Sequence, residues 1–127
     1  MRVRISDTER MTTTSPAPLS DTARRNGVPA TLADATALTP GQRLDVIRRV
    51  FLHLEAMTPA DLATVPTNDA GEHVFDSLLG LTLYTELTQH LGEKPLELSK
   101  FEHGKFETFA GVNELVGLAY AELQKRS

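Results

Sequence analysis

The chain contains no cysteine and no tryptophan. The first absence removes a disulfide framework, a thiolate zinc site and a cysteine nucleophile in one step. It also suits a reducing compartment, and a cytoplasmic location is expected. Long apolar runs are missing too: none approaches the ~20 residues that a membrane-spanning helix needs, so no membrane partner is expected. Arg2 and Arg4 are followed by no apolar stretch, which does not read as a secretory signal, and Asp7, Glu9, Asp21 and Asp34 argue against a transit peptide. Basic residues are scarce over most of the chain. Phe51 to Leu123 carries twelve acidic and three basic residues, a formal −9, whereas Met1 to Val50 carries eight basic and five acidic. That balance disfavours nucleic acid as a partner. It fits basic protein surfaces, although solubility alone explains it equally well.

What is present amounts to one small domain with a tail: 127 residues, of which 40% are hydrophobic. Residues 1–38 are rich in Thr, Ala, Ser, Pro and Arg and show no sustained period, so a disordered tail is expected there, with the folded domain over 39–127. Thr39-Pro40-Gly41-Gln42 has the form of a capping box with proline at the first helical position. Leu44, Ile47, Phe51, Leu54 and Met57 then recur at helical spacing, up to a stop at Thr58-Pro59. A long connection to Asp76 holds turn formers, with Leu62, Val65, Val74 and Phe75 able to pin it to a core.

A second helix is predicted over Ser77 to Leu91, with Leu83, Tyr84, Leu87 and Leu91 on one face and Leu78, Leu81, Thr82, Thr85 and Gln89 on the other. Leu98 and Phe101 anchor a short helical segment, and Thr108 caps a last helix carrying Phe109, Val112, Val116, Ala119, Tyr120 and Leu123. With no strand signal, the fold class is all-α: a four-helix bundle with a long first loop and a short third helix.

Asp76-Ser77-Leu78 stands where the long loop meets the second helix. A serine at a helix N-terminus lies near unpaired backbone N–H groups and the positive dipole end, which favour phosphate. Asp and Ser are also ordinary helix caps, so the tripeptide alone decides little. The stretch from Phe75 to Leu87, with aliphatic residues at Leu78, Leu81, Leu83 and Leu87, resembles the acyl carrier and peptidyl carrier protein family. Phe106-Glu107-Thr108-Phe109 resembles the lead-in to that family's final helix, and the likeness spans Thr39 to Leu123.

The resemblance implies a discrete carrier that is not itself an enzyme. A phosphopantetheinyl transferase would attach 4′-phosphopantetheine from coenzyme A to Ser77. Acyl- or aminoacyl-loading enzymes and downstream biosynthetic enzymes, of fatty-acid, polyketide or other secondary-metabolite type, would then use the arm's thiol. Asp76 would assist transferase recognition; Leu78, Leu81, Thr82, Thr85 and Glu86 would select partners. A monomer is expected.

The chain departs from the family in two respects. Val74 and Phe75 stand where a glycine often precedes the motif, and Leu79, Gly80, Thr82 and Thr85 replace acidic residues after the serine. These departures keep open an alternative, an unmodified helical adaptor docking through the second helix. A hydrolase built on Ser77 lacks a nucleophile elbow and a preceding strand. His53, His73, His90 and His103 are scattered, read as surface or loop residues, and suggest no metal site.

Overall fold

Among the residues described by the computed structural model, 18–92 and 95–126, the fold is all-α. Five α-helices follow in order: α1 (Asp21–Arg25), α2 (Leu32–Ala37), α3 (Pro40–Leu54), α4 (Ser77–Thr88) and α5 (Phe109–Arg126). Short 3₁₀ turns lie at Pro59–Thr64, Gln89–Leu91, Leu98–Lys100 and His103–Phe106. Ile47 and Val50 from α3, Leu83 and Leu87 from α4, and Val112, Leu115 and Val116 from α5 are fully buried where the three long helices meet. Each such side chain contributes about 1.5–3 kcal/mol on leaving water. The Tyr120 hydroxyl sits inside this core and donates to the Leu87 carbonyl at 2.9 Å, so its burial leaves no polar atom stranded.

The start of α3 forms as its sequence predicts. Thr39 accepts from the Gln42 amide and the Gln42 side chain accepts from the Thr39 amide, a complete capping box. Its end comes earlier than the apolar stripe suggests. Ala56 adopts φ +54°, the Ala56 amide bonds to the His53 carbonyl, and the Met57 amide bonds to the Leu52 carbonyl at 2.8 Å. This is a Schellman cap with alanine in glycine's usual place, and without that glycine the stop was not visible in the sequence. The α4 prediction holds through Thr88, after which Gln89–Leu91 tightens to 3₁₀ and Gly92, at φ +127°, ends the run.

Residues 18–38 depart from the expected disordered tail; the remainder of that expectation, over 1–17, lies outside the described residues. Ser20 caps α1, Thr31 caps α2, and Ala23, Val28 and Ala35 are buried. α1 packs on α3 and α4, and α2 packs on α5. Helices of 5 and 6 residues are too short to show a period or to persist alone. Tertiary contacts hold them: the Ser20 hydroxyl donates to Glu86 at 2.6 Å, and His90 Nε2 donates to the Pro29 carbonyl at 2.6 Å. His90 is therefore a buried core residue, 6% exposed, and not the surface or loop histidine expected.

The tightest packing involves backbone. A Cβ on Gly80 of α4 would stand 1.7 Å from the Phe106 carbonyl oxygen, and one on Gly111 of α5 would stand 2.3 Å from that of Lys105. Alanine in an exposed helix is favoured over glycine by about 1 kcal/mol; at these two positions the sign reverses. Gly80→Ala and Gly111→Ala should each lower unfolding free energy by about 1–3 kcal/mol or more in urea titrations. Gly104→Ala, with open space around it, serves as the control. Conversely, Ala56→Gly should raise stability by about 1 kcal/mol, because it relieves a left-handed alanine.

Candidate functional site

The approach to Ser77 is held by local hydrogen bonding before any long-range packing. Thr58 and Asp61 form a second capping box over Pro59–Thr64. The Asn68 side chain accepts from the Ala70 and Glu72 amides at 2.9 and 3.0 Å, and Gly71 takes φ +81° to turn the chain back. Thr67 and His73 pair across this turn, and His73 Nδ1 lies 3.0 Å from the Val65 carbonyl. The chain then runs beside the start of α5: Val74 bridges Thr108, and the Phe75 amide donates to the Glu107 carbonyl at 2.9 Å. The Phe75 ring lies 5.4 Å from Phe51 and 5.1 Å from Phe109, while Phe51 and Phe109 meet edge to face at 5.0 Å. Leu62, Val65 and Phe75 thus pin the long loop to the core, as the sequence suggests.

From this support α4 begins. Asp76 is its N-cap and accepts from the Leu78 amide at 2.7 Å. Ser77 is the first helical residue, partly exposed, and its hydroxyl makes no hydrogen bond among the described residues. Leu78 beside it is 69% exposed, the most exposed large apolar side chain described. A cavity of about 310 Å³ opens at Ser77, walled by Leu81, Leu98, Phe101 and Phe106. A second, of about 440 Å³, continues along α4 between Tyr84 and Thr85 on one side and Pro95 and Leu96 on the other. Leu81 and Leu98 line both, so the two lie next to one another along α4.

The helix-two residues singled out from the sequence separate into three surroundings. Leu78 and Thr82 face solvent, the Thr82 hydroxyl donating to the Leu78 carbonyl. Leu81 and Thr85 are half-buried and line the groove against residues 95–101. Glu86 is drawn into internal bonding: Ser20 and Gln89 both donate to its carboxylate, at 2.6 and 3.2 Å. It ties the N-cap of α1 to α4. The sequence reading missed this because Ser20 lay in the segment expected to be disordered. It also missed that residues 95–101 fold over the leucine stripe, although Leu98 and Phe101 were recognisable as anchors.

No protein-family model, curated protein or solved structure matches this chain.

The chemistry available at the site follows from its groups alone. His103 lines the same cavity as Ser77, but no hydrogen bond joins them and no carboxylate orients the imidazole. Ser77 is thus not hydrogen-bonded to a base in this structure, the arrangement that activates a nucleophilic serine. Among the described residues no three His, Asp or Glu side chains gather as metal ligands, and no helix is long and apolar enough to cross a membrane. The groups with displaced protonation are elsewhere. Burial pushes the Tyr84 hydroxyl up, opposed in part by Thr88, and pushes the Tyr120 hydroxyl up more strongly, opposed by Arg43. Burial lowers the Arg43 guanidinium, with Tyr120 countering.

Exposure separates two leucines one turn apart. Leu78→Ala should leave the unfolding midpoint nearly unchanged, within about 0.5 kcal/mol. Leu81→Ala, in the groove wall, should cost about 1–2 kcal/mol by the same measurement, since only part of its side chain is buried.

Proposed function

We propose that this protein is a discrete acyl carrier, with Ser77 as the attachment point for 4′-phosphopantetheine. The observation that carries the reading is the setting of Ser77. Its unbonded, partly exposed hydroxyl opens α4 and stands at the mouth of an apolar groove, at the position where the resemblance to carrier proteins requires the modified serine. On this reading α3, α4, the turns between Leu98 and Phe106, and α5 correspond to the four helices of a carrier bundle, and α1 and α2 are an addition to it.

The residues present suit such a group. A phosphodiester on Ser77 would lie at the first turn of α4, where Asp76 takes the Leu78 amide and leaves the Ser77 and Leu79 amides free of protein acceptors. Attachment forms the bond from the Ser77 oxygen to phosphorus and breaks the diphosphate linkage of coenzyme A. Adenosine bisphosphate leaves, and the serine proton passes to the transferase. The bound arm supplies a thiol, which this cysteine-free chain lacks, to hold an acyl or aminoacyl group as a thioester. The chain itself performs no catalysis. It presents cargo to successive enzymes at high effective concentration, and the groove along α4 shelters the cargo between encounters.

Partner selection falls to Leu78 and Thr82, the residues of the stripe that face outward, and to the acidic body beyond α4. With Glu86 engaged by Ser20, α4 offers little charge, which favours shape and apolar contact over the electrostatics of a strongly acidic helix.

The test is intact mass after incubation with coenzyme A, magnesium and a broad-specificity phosphopantetheinyl transferase. Wild type should gain one phosphopantetheine, and Ser77→Ala should gain none. An unchanged wild-type mass would sink the carrier reading in favour of an unmodified adaptor docking through α4. Ester hydrolysis without an adduct would instead point to a serine hydrolase.

A further inference from the structure

Among the described residues Arg43 is the one arginine that is not exposed. It differs from the others in its partners too. Arg24, Arg25, Arg48 and Arg126 each have a carboxylate at ion-pair distance on their own helix. Arg43 has none among the described residues. Its Nε donates to the Asn113 side-chain oxygen of α5 at 2.6 Å, and the Asn113 side-chain nitrogen donates to the Pro40 carbonyl at 3.2 Å. These bonds hold one edge of the guanidinium and leave both Nη groups without an acceptor among the described residues. Burial holds the group below the ordinary arginine pKa, so its charge is partly desolvated as well as unpaired. One turn on from Asn113, Gly117 leaves the space that the guanidinium takes: a Cβ there would stand 2.7 Å from Nη2 and 3.3 Å from Nη1. Glycine inside a helix is unfavourable next to alanine, and the close approach of Arg43 accounts for it here. Beside the guanidinium opens a cavity of about 140 Å³, lined from α2 by Ala35 and Thr36 and from α5 by Gly117, Tyr120 and Ala121. Arg43 is the one charged residue that lines it among the described residues.

We infer that this cavity is a binding site for a carboxylate, whose two oxygens accept from the Nη1 and Nη2 groups of Arg43. The shapes match, two parallel N–H groups to two oxygens. The charges match as well. The Thr36 hydroxyl gives its proton to the Ala33 carbonyl, and the Tyr120 hydroxyl gives its own to the Leu87 carbonyl. One unit of positive charge therefore faces the ligand, which suits a singly charged carboxylate better than a dianionic phosphate. A cavity of this size admits a small organic acid or an acidic side chain of a partner. Because Thr36 belongs to α2 and Arg43 to α3, a bound carboxylate braces the N-terminal segment against the bundle. The site shares no lining residue with the cavities along α4, and the inference stands whether or not Ser77 is modified.

The test titrates the full chain with sodium acetate at neutral pH, with sodium chloride holding the ionic strength constant. NMR follows the Arg43 Nε–H and the Thr36 and Gly117 amides. Acetate should shift these signals saturably with a midpoint of roughly 1–10 mM, the range that one partly solvated, charge-assisted pair of hydrogen bonds gives. It should also raise the unfolding temperature, as any ligand of the folded state does. Chloride alone should do neither. Arg43→Lys keeps the charge without the fork and should weaken acetate binding by about tenfold; Gly117→Ala, which displaces the guanidinium, should weaken it too. The blocked tripeptide N-acetyl-Ala-Glu-Ala-amide separates the sources: tighter binding than acetate assigns the site to an acidic side chain, weaker binding to a free acid. Unsaturated shifts that chloride reproduces, equal midpoints in wild type and Arg43→Lys, or tighter binding of inorganic phosphate than of acetate would each overturn the proposal.

Discussion

The contact on which the site's geometry depends is between main chains. The turn at His103–Phe106 lies between α4 and α5 with its carbonyls against the two helices, at Gly80 on one side and Gly111 on the other. A side chain at either position would overlap the turn's own backbone, so the close approach of the turn to the two helices requires glycine at both. The turn's C-terminal end then presents the Glu107 carbonyl to Phe75, and Thr108 to Val74, immediately before α4 starts. The place where Ser77 stands, and the wall that residues 98–106 build beside it, both follow from those two glycines. The exposed ion pair of Lys105 with Glu114 crosses the same contact at 2.7 Å, but in water such a pair adds little.

α4 is consequently a helix with almost no idle surface. Leu83 and Leu87 face the core, Leu81 and Thr85 face the groove, and Glu86 reaches the N-terminal segment through Ser20. What remains is a narrow strip beginning at Ser77 and Leu78. An all-round apolar helix is normally a buried one. Here it is enclosed on three sides by elements from opposite ends of the chain, α1 from the N-terminal side and the 95–106 connection from the C-terminal side.

Legibility in the sequence followed the length of the signal. α3, α4 and α5 are long enough for apolar spacing to register, and Thr39 and Thr108 announced two of their starts through side-chain caps that the structure contains. The N-terminal helices were hidden because they bury alanines, which carry no periodic pattern, and because what fixes them is remote: Glu86 and His90 lie more than sixty residues away in sequence. Gly80 was read only as one of the residues replacing acidic side chains after the serine; the reason for a glycine there, the backbone of Phe106, exists only in three dimensions. At the site, Ser77 and Leu78 could be read from the tripeptide and its context.

The carrier and hydrolase readings make opposite demands on the same serine. A nucleophile must be held against a base, beside donors aimed at a developing oxyanion, in a site that excludes water. A serine to be modified by a separate enzyme must instead be reachable, with neighbours that a foreign active site can grip. Ser77 has an exposed leucine beside it, a backbone fixed by Asp76 and by the Phe75 contacts, and no hydrogen bond to His103 across its cavity. The rigid part of the site is the scaffold, while the hydroxyl is left unengaged. That division suits a group whose chemistry is done to it, and it is why the carrier reading accounts for more of this local structure than a catalytic one.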